Sequence, residues 1–247
     1  MLYSVKYNFI YIKSQKTAST SVETLLQTLI DHKEVTNDAK FQILGDGSII
    51  GQRGKNSNKN IHNVLNYAFN HMSAEKIQQL LGPEKFKSAF KVSTIRNPYR
   101  RAISAFHFFA KRLHNSKNKT QIIQNNVSLK SEFLNFLTKQ KASNYTGKEH
   151  FFVKEKLIID GFVRQEKLED DLKNILKQLG LKNNEINEIV KKIPEFKLNH
   201  HLREINPIDY FNQESLDIIN KKFTFWFSLG DYKMLNNCNE FLDYQMA

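Results

Sequence analysis

Apolar residues along this chain come in two patterns, short continuous runs and longer stripes of helical period, and the two follow one another. Phe9 to Ile12 is a short aromatic-rich run that predicts a buried strand. Val22, Leu25, Leu26, Leu29 and Ile30 then recur on one face of a helix that fades over Asp31 to Asp38. Phe41 to Ile50 predicts a hairpin turning at Gly45-Asp46-Gly47, and Gly51 to Asn60 a polar surface loop with Arg53, Lys55 and Lys59. Ile77, Leu80 and Leu81 mark a second helix, capped by Ser73, with Glu75 in its first turn and Gly82-Pro83 as its stop. Ala89 to Ile95 is a β-branched strand, and Ile103, Phe106, Ala110 and Leu113 mark the helix after it.

Beyond that helix lie a polar loop over His114 to Asn126 and a helix over Leu129 to Leu137 with Phe133, Leu134 and Leu137 inward. A loop at Ser143 to Glu149 leads to a strand over Leu157 to Val163 and a helix from Arg164 to Leu179, closed by Gly180. A C-terminal helix over about Gln213 to Phe227 carries Phe223, Phe225, Trp226 and Phe227, expected to pack on the sheet. Strands alternating with helical stripes predict an α/β fold: a central, mostly parallel sheet flanked by helices, in one domain over 1–247.

Three junctions carry chemistry. Lys16-Thr17-Ala18-Ser19-Thr20-Ser21 lies between the first strand and its helix. A helix start presents unpaired N–H groups and the positive end of the dipole, so this turn suits an anion, and Lys16 adds a full charge. The same residue types would also serve an ordinary capped helix. It is not a Walker A loop, because no glycine lies between Met1 and Lys40. A second strand-to-helix junction is Arg96-Asn97-Pro98-Tyr99-Arg100-Arg101-Ala102-Ile103-Ser104. Asn97 suits the cap, Pro98 the first helical position, and Arg96 offers a planar fork for phosphate. His71 sits just outside the helix capped by Ser73. A positive helix end lowers a histidine's pKa and keeps it neutral, as a general base must be. His62 is a more distant candidate.

Charge narrows the ligand. The 247 residues carry a net charge of +12, which fits a polyanion such as a nucleotide, an acidic glycan or a nucleic acid, although a lysine-rich solvated surface contributes to it. Cys238 is the only cysteine, so no intrachain disulfide forms. No run approaches the ~18 apolar residues of a membrane span, and no CxxC or HExxH metal pattern occurs. His200-His201 lacks a carboxylate or cysteine at ligand spacing, so no metal is expected.

Lys16 to Ser21 resembles the 5′-phosphosulfate loop of sulfotransferases that use 3′-phosphoadenosine 5′-phosphosulfate (PAPS), especially the uronyl 2-O-sulfotransferases. Arg96 to Ser104 is similar to that family's 3′-phosphate segment, and His71-Met72-Ser73 matches its catalytic histidine. Arg164 to Asp171 resembles a further family segment in which Val163 replaces a glycine, so Arg164 receives no ligand role, and Asn199 and Arg203 match a late closing loop only loosely. The resemblance implies a P-loop-like sulfotransferase fold and transfer of the sulfuryl group of PAPS to a hydroxyl, leaving PAP. Lys16, Thr17, Ala18, Ser19, Thr20 and Ser21 would hold the phosphosulfate, with Lys16 also catalytic; Arg96 and Ser104 would hold the 3′-phosphate; Arg101 would be structural; His71 would be the base. It implies a carbohydrate acceptor, with a lipid-linked sugar, a small alcohol or a tyrosine left open. Many eukaryotic carbohydrate sulfotransferases are Golgi membrane proteins; with no apolar run long enough to span a membrane here, a soluble, cytoplasmic protein of prokaryotic or viral type is expected, with no nucleic-acid partner.

Two other classes compete. A P-loop nucleotide kinase would show Walker glycines and an acidic residue ending a neighbouring strand, whereas the clearest such strand runs into Arg96. A non-catalytic nucleic-acid-binding protein would interleave basic residues with exposed aromatics, whereas these aromatics follow core periodicities.

Overall fold

A computed structural model describes residues 1–30, 35, 38–54, 70–113, 126–139, 146–196 and 206–242. The chain runs β1 (Leu2–Ser4), β2 (Phe9–Ile12), α1 (Ser19–Gln27), β3 (Gln42–Ile43), β4 (Ile49–Ile50), α2 (Ala74–Leu81), α3 (Pro83–Ser88), β5 (Phe90–Ile95), α4 (Pro98–Leu113) and α5 (Asn126–Lys139). It continues through α6 (Lys148–Phe151), β6 (Phe152–Val153), β7 (Lys156–Leu157), β8 (Gly161–Arg164), α7 (Leu168–Gln178), α8 (Asn183–Val190), α9 (Gln213–Lys222) and α10 (Thr224–Gly230). These fall into two compact units, Met1–Ile95 with Gly147–Leu198, and Arg96–Thr146 with Asn199–Ala247.

The first unit holds a six-stranded sheet in the order β3-β4-β1-β2-β5-β8. β2, β5 and β8 pair in parallel, while β1, β4 and β3 add antiparallel partners at one side. Four strands (β2, β4, β5 and β8) therefore share one direction, so the mostly parallel sheet expected from the sequence carries an antiparallel flank. Strand β2 is buried along its whole length, as a strand covered on both faces should be. Phe9 and Tyr11 join Val22, Leu25 and Leu26 of α1, Val92 of β5 and Leu172, Ile175 and Leu176 of α7 in one core. Burying each such leucine contributes about 1.5–3 kcal/mol, which seats α1 and α7 on the sheet.

Several elements differ from the reading of the sequence. The three-residue β1 was not anticipated; it exists through its pairing with β2 and β4. The strand expected over Leu157 to Val163 is two strands, β7 and β8. Between them the Asp160 carboxylate accepts from the Lys91 amide at 2.7 Å, and the Asp160 amide donates to the Lys91 carbonyl at 2.8 Å. At Gly161 a Cβ would lie 2.3 Å from Ile175 Cδ1, so the lack of a side chain lets β8 approach α7. α2 stops at Leu81 with Gly82 at its C-terminal cap, as expected, and Pro83 then opens a further helix, α3, at its first position, where its missing N–H has no cost. The loop after Gly51 is not all surface: Arg53 is fully buried and its backbone pairs with Ala39. Lys55 and Lys59 lie outside the described residues.

The second unit packs around Tyr99 of α4. Its ring meets those of Phe211 and Phe241 edge-on at 5.6 and 5.2 Å. Its hydroxyl donates to Asn220 Oδ1 at 2.6 Å and accepts from the Leu235 amide at 2.8 Å. Phe133 of α5 packs edge-on against Phe106 and Phe211, while Leu134 is only half-buried. The single C-terminal helix expected from the sequence is broken at Phe223 into α9 and α10. Its aromatics pack on α4 where a sheet contact was expected: Phe227 meets Tyr99 at 5.2 Å, and Trp226 and Phe223 lie against the Arg101 guanidinium. The side chains of Ala110 and Leu113 lie outside the described set.

Candidate active site

The site in the first unit begins where β2 ends. Six residues, Lys13 to Ala18, carry the chain from Ile12 to the start of α1, and two of them, Lys16 (φ 63°) and Ala18 (φ 59°), are left-handed without being glycine. That conformation costs about 1–2 kcal/mol per residue and persists only when its surroundings enforce it. Here a buried hydroxyl network does so. Ser14 Oγ lies 2.9 Å from Thr17 Oγ1, which lies 2.8 Å from Thr94 Oγ1 on β5; Tyr11 Oη joins at 3.1 Å, and Ser19 Oγ donates to the Ser14 carbonyl at 2.6 Å.

This network changes the reading of the hydroxyl-rich turn. The side chains of Thr17 and Ser19 are consumed inside the protein, and Ser21 is buried as well. The residue that caps α1 is Ala18, which makes no side-chain cap, so the ordinary capped helix is not what is built. In the first turn of α1 the Ser21 amide donates to the Ala18 carbonyl at 3.0 Å, and the amides of Ser19 and Thr20 come too early in the helix for an intrahelical acceptor. Around them Lys16, Ala18 and Thr20 reach the surface. The turn therefore offers backbone N–H groups, one hydroxyl and one ammonium.

Behind the turn lies a buried charge cluster. Glu23 of α1 accepts from Lys13 Nζ and from the Met1 amino group, each at 2.9 Å, and all three groups are buried. Burial alone would raise the Glu23 pKa, but Lys13, the amino group and Arg53 outweigh it and bring it down to about 2. The carboxylate thus stays ionised and holds Lys13 at the base of the turn.

His71 is attached to the same segment. Its Nδ1–H donates to the Lys13 carbonyl at 3.2 Å, which leaves the lone pair on Nε2. Burial first, then the charge of Lys13, then His150 push its pKa well below 6.5. The direction expected from the adjacent helix start is found, but the main cause is desolvation. Ser73 caps α2 by accepting from the Lys76 amide, with Glu75 in the first turn, as anticipated. His71 itself is left-handed, at φ 57°.

His150 was missed by sequence reasoning. It lies on α6, is 2% exposed, and donates from Nδ1 to the Met72 carbonyl at 3.0 Å; its ring centroid is 6.4 Å from that of His71. Nothing local in Lys148–Phe151 signals this, because Met72 is 78 positions earlier.

In the second unit Asn97 caps α4, accepting from the Tyr99 amide at 3.0 Å, and Pro98 is the first helical residue, as predicted. Arg96 precedes the cap, half-buried, and Ser104 is buried within α4. Arg101 is also buried, 4.4 Å from the Trp226 ring centroid, which is a packing role. In the first unit, Arg164 forms a bidentate pair with Asp171 at 2.8 and 2.7 Å, so the two residues of that segment tie β8 to α7. His62, Asn199, His200, His201 and Arg203 lie outside the described residues. Among the described residues no group of three or more His, Cys, Asp or Glu side chains could hold a metal ion, and no helix is long and apolar enough to cross a membrane.

In the first unit, a strand-to-helix turn without a side-chain cap and a histidine bonded to the segment that leads into it lie at the end of β2. A model of the Sulfotransferase family matches residues 1–221, and the chain belongs to that family. The family's chemistry is sulfuryl transfer to a hydroxyl, generally from PAPS with release of PAP. Searches of curated proteins and of solved structures found no match.

Proposed function

We propose that this protein is a PAPS-dependent sulfotransferase whose acceptor is a carbohydrate hydroxyl, and that its anion turn works as a P-loop does, without the glycines. The observation that carries the reading is the hydrogen bond from His71 to the Lys13 carbonyl, which ties a neutral base to the segment that leads into the turn. The donor supplies an activated sulfuryl group on a phosphate leaving group. The amides of residues 17–20 and the side chains of Lys16 and Thr20 receive its phosphosulfate. Lys16 offsets the charge that grows on the leaving phosphate oxygen as the S–O bond to phosphate breaks. His71 Nε2 takes the proton of the acceptor hydroxyl as its oxygen bonds to sulfur. Arg96 and Ser104 take the 3′-phosphate and so orient the donor. Two charged groups on one adenosine call for two such anion sites, and the chain has two strand-to-helix junctions of that character.

The test has two arms. PAP should raise the melting temperature more than ATP–Mg²⁺ or an oligonucleotide does, and a larger shift with either of the others would favour a kinase or a nucleic-acid binder. An acceptor screen with PAPS, read by mass spectrometry, should find a sulfated sugar. On that acceptor His71→Ala should lower kcat by about 10²–10⁴-fold while leaving PAP affinity intact. The acid limb of the wild-type rate profile should fall well below pH 6.5, where His71 becomes protonated. A variant with near-full turnover removes His71 from the mechanism.

A further inference from the structure

We propose that His150 is a positioning residue for His71, acting through the Met72 carbonyl; this rests on the reading of His71 as the base. His71 is held in a left-handed conformation that β-carbon-bearing residues rarely adopt. Two hydrogen bonds bracket it: one from its own ring to the Lys13 carbonyl, the other from His150 Nδ1–H to the carbonyl of the next residue, Met72. The first fixes the ring, and the second fixes the backbone that carries it. Met72 is 3% exposed, and His150 is 2% exposed, so the second bond is made in a dry environment where losing its donor costs most. The rings stand at 6.4 Å, too far for direct proton transfer, so His150 acts on placement and takes no proton itself. The groups that hold His71 therefore come from the segment just after β2 and from α6, far apart in the chain.

The role requires a proton on His150 Nδ1; the other ring nitrogen, Nε2, lies 3.4 Å from the Glu149 carboxylate. It also predicts that asparagine, whose amide nitrogen falls near the position of Nδ1, can substitute. Long-range ¹H–¹⁵N spectra of the wild-type protein with PAP should show His150 in the Nδ1–H form and His71 in a single Nδ1–H form, with His71 assigned by comparison with His71→Ala. In His150→Ala the His71 signals should move to the average of two tautomers; in His150→Asn they should stay as in wild type. On the acceptor found with PAPS, His150→Ala should lower kcat about tenfold or more with KM for PAPS within twofold, and His150→Asn should recover to within about threefold. The inference is overturned by an Nε2–H His150 in the wild-type spectrum, which needs no variant to fold. Equal losses in the Ala and Asn variants, or wild-type kcat in His150→Ala while His71→Ala is inactive, also overturn it. Full turnover in His71→Ala would instead remove the reading of the base, whatever the His150 spectra show.

Discussion

At the scale of single residues, the turn that opens α1 works by spending its hydroxyls inward. Thr17 and Ser19 bind Thr94 and the Ser14 carbonyl, and this holds Lys16 and Ala18 in conformations that glycine would adopt without cost. A left-handed turn built without glycine thus needs a buried scaffold behind it. Glu23 is the electrostatic part of that scaffold. Its folded pKa of about 2 lies below its ordinary 4.5, so its ionised form stabilises the fold fully above pH 4.5. That contribution, about 3 kcal/mol, is lost as pH falls from 4.5 towards 2. Urea titrations across this window should show stability dropping in the wild type. Glu23→Gln should show a weaker acid dependence there, and should be destabilised by about 3–5 kcal/mol at neutral pH because Lys13 keeps its buried charge. A variant as stable as wild type would mean that the cluster contributes nothing.

At the scale of elements, both junctions follow one rule: a buried strand ends, and a polar turn starts a helix whose inner face is apolar. The helices differ in how their first amides are used. Asn97 caps α4 with its own side chain, whereas α1 has no such cap. α4 is anchored instead by Tyr99, whose hydroxyl serves both Asn220 of α9 and the Leu235 amide. Tyr99→Phe keeps the aromatic contacts but leaves the buried Leu235 N–H unpaired, and should cost about 1–3 kcal/mol in chemical denaturation. No change in stability would show that water replaces the hydroxyl. Strand β5 was legible because Val92, Thr94 and Ile95 give it β-branched character. β1 was not, because three residues have no periodicity and pair only through β2 and β4.

At the scale of the whole molecule, the net charge of +12 is a long-range field that acts on encounter more than on fold. With an acidic, uronate-bearing glycan as acceptor, KM should rise as NaCl is raised from about 0.05 to 0.5 M, because the Debye length shrinks from roughly 14 to 4 Å. A neutral sugar acceptor should show little change. Equal salt sensitivity for both would assign the effect to the donor, which is anionic in either case.

Sequence alone determined the parts whose cause is local. The apolar run of β2, the β-branched character of β5, the stripe of α1, the Asn97-Pro98 start of α4 and the Gly180 stop all rest on propensity and periodicity within a few residues. So did the nomination of Lys16 and His71, since a charge beside a helix start can be read from neighbours in the chain. Tertiary structure alone decided which groups face each other. It turned Thr17 and Ser19 inward, buried Arg53, paired Arg164 with Asp171 and brought His150 to Met72. Such facts depend on segments dozens of residues apart meeting in a dry interior, where one hydrogen bond or charge decides an orientation. One-dimensional spacing carries no record of that meeting.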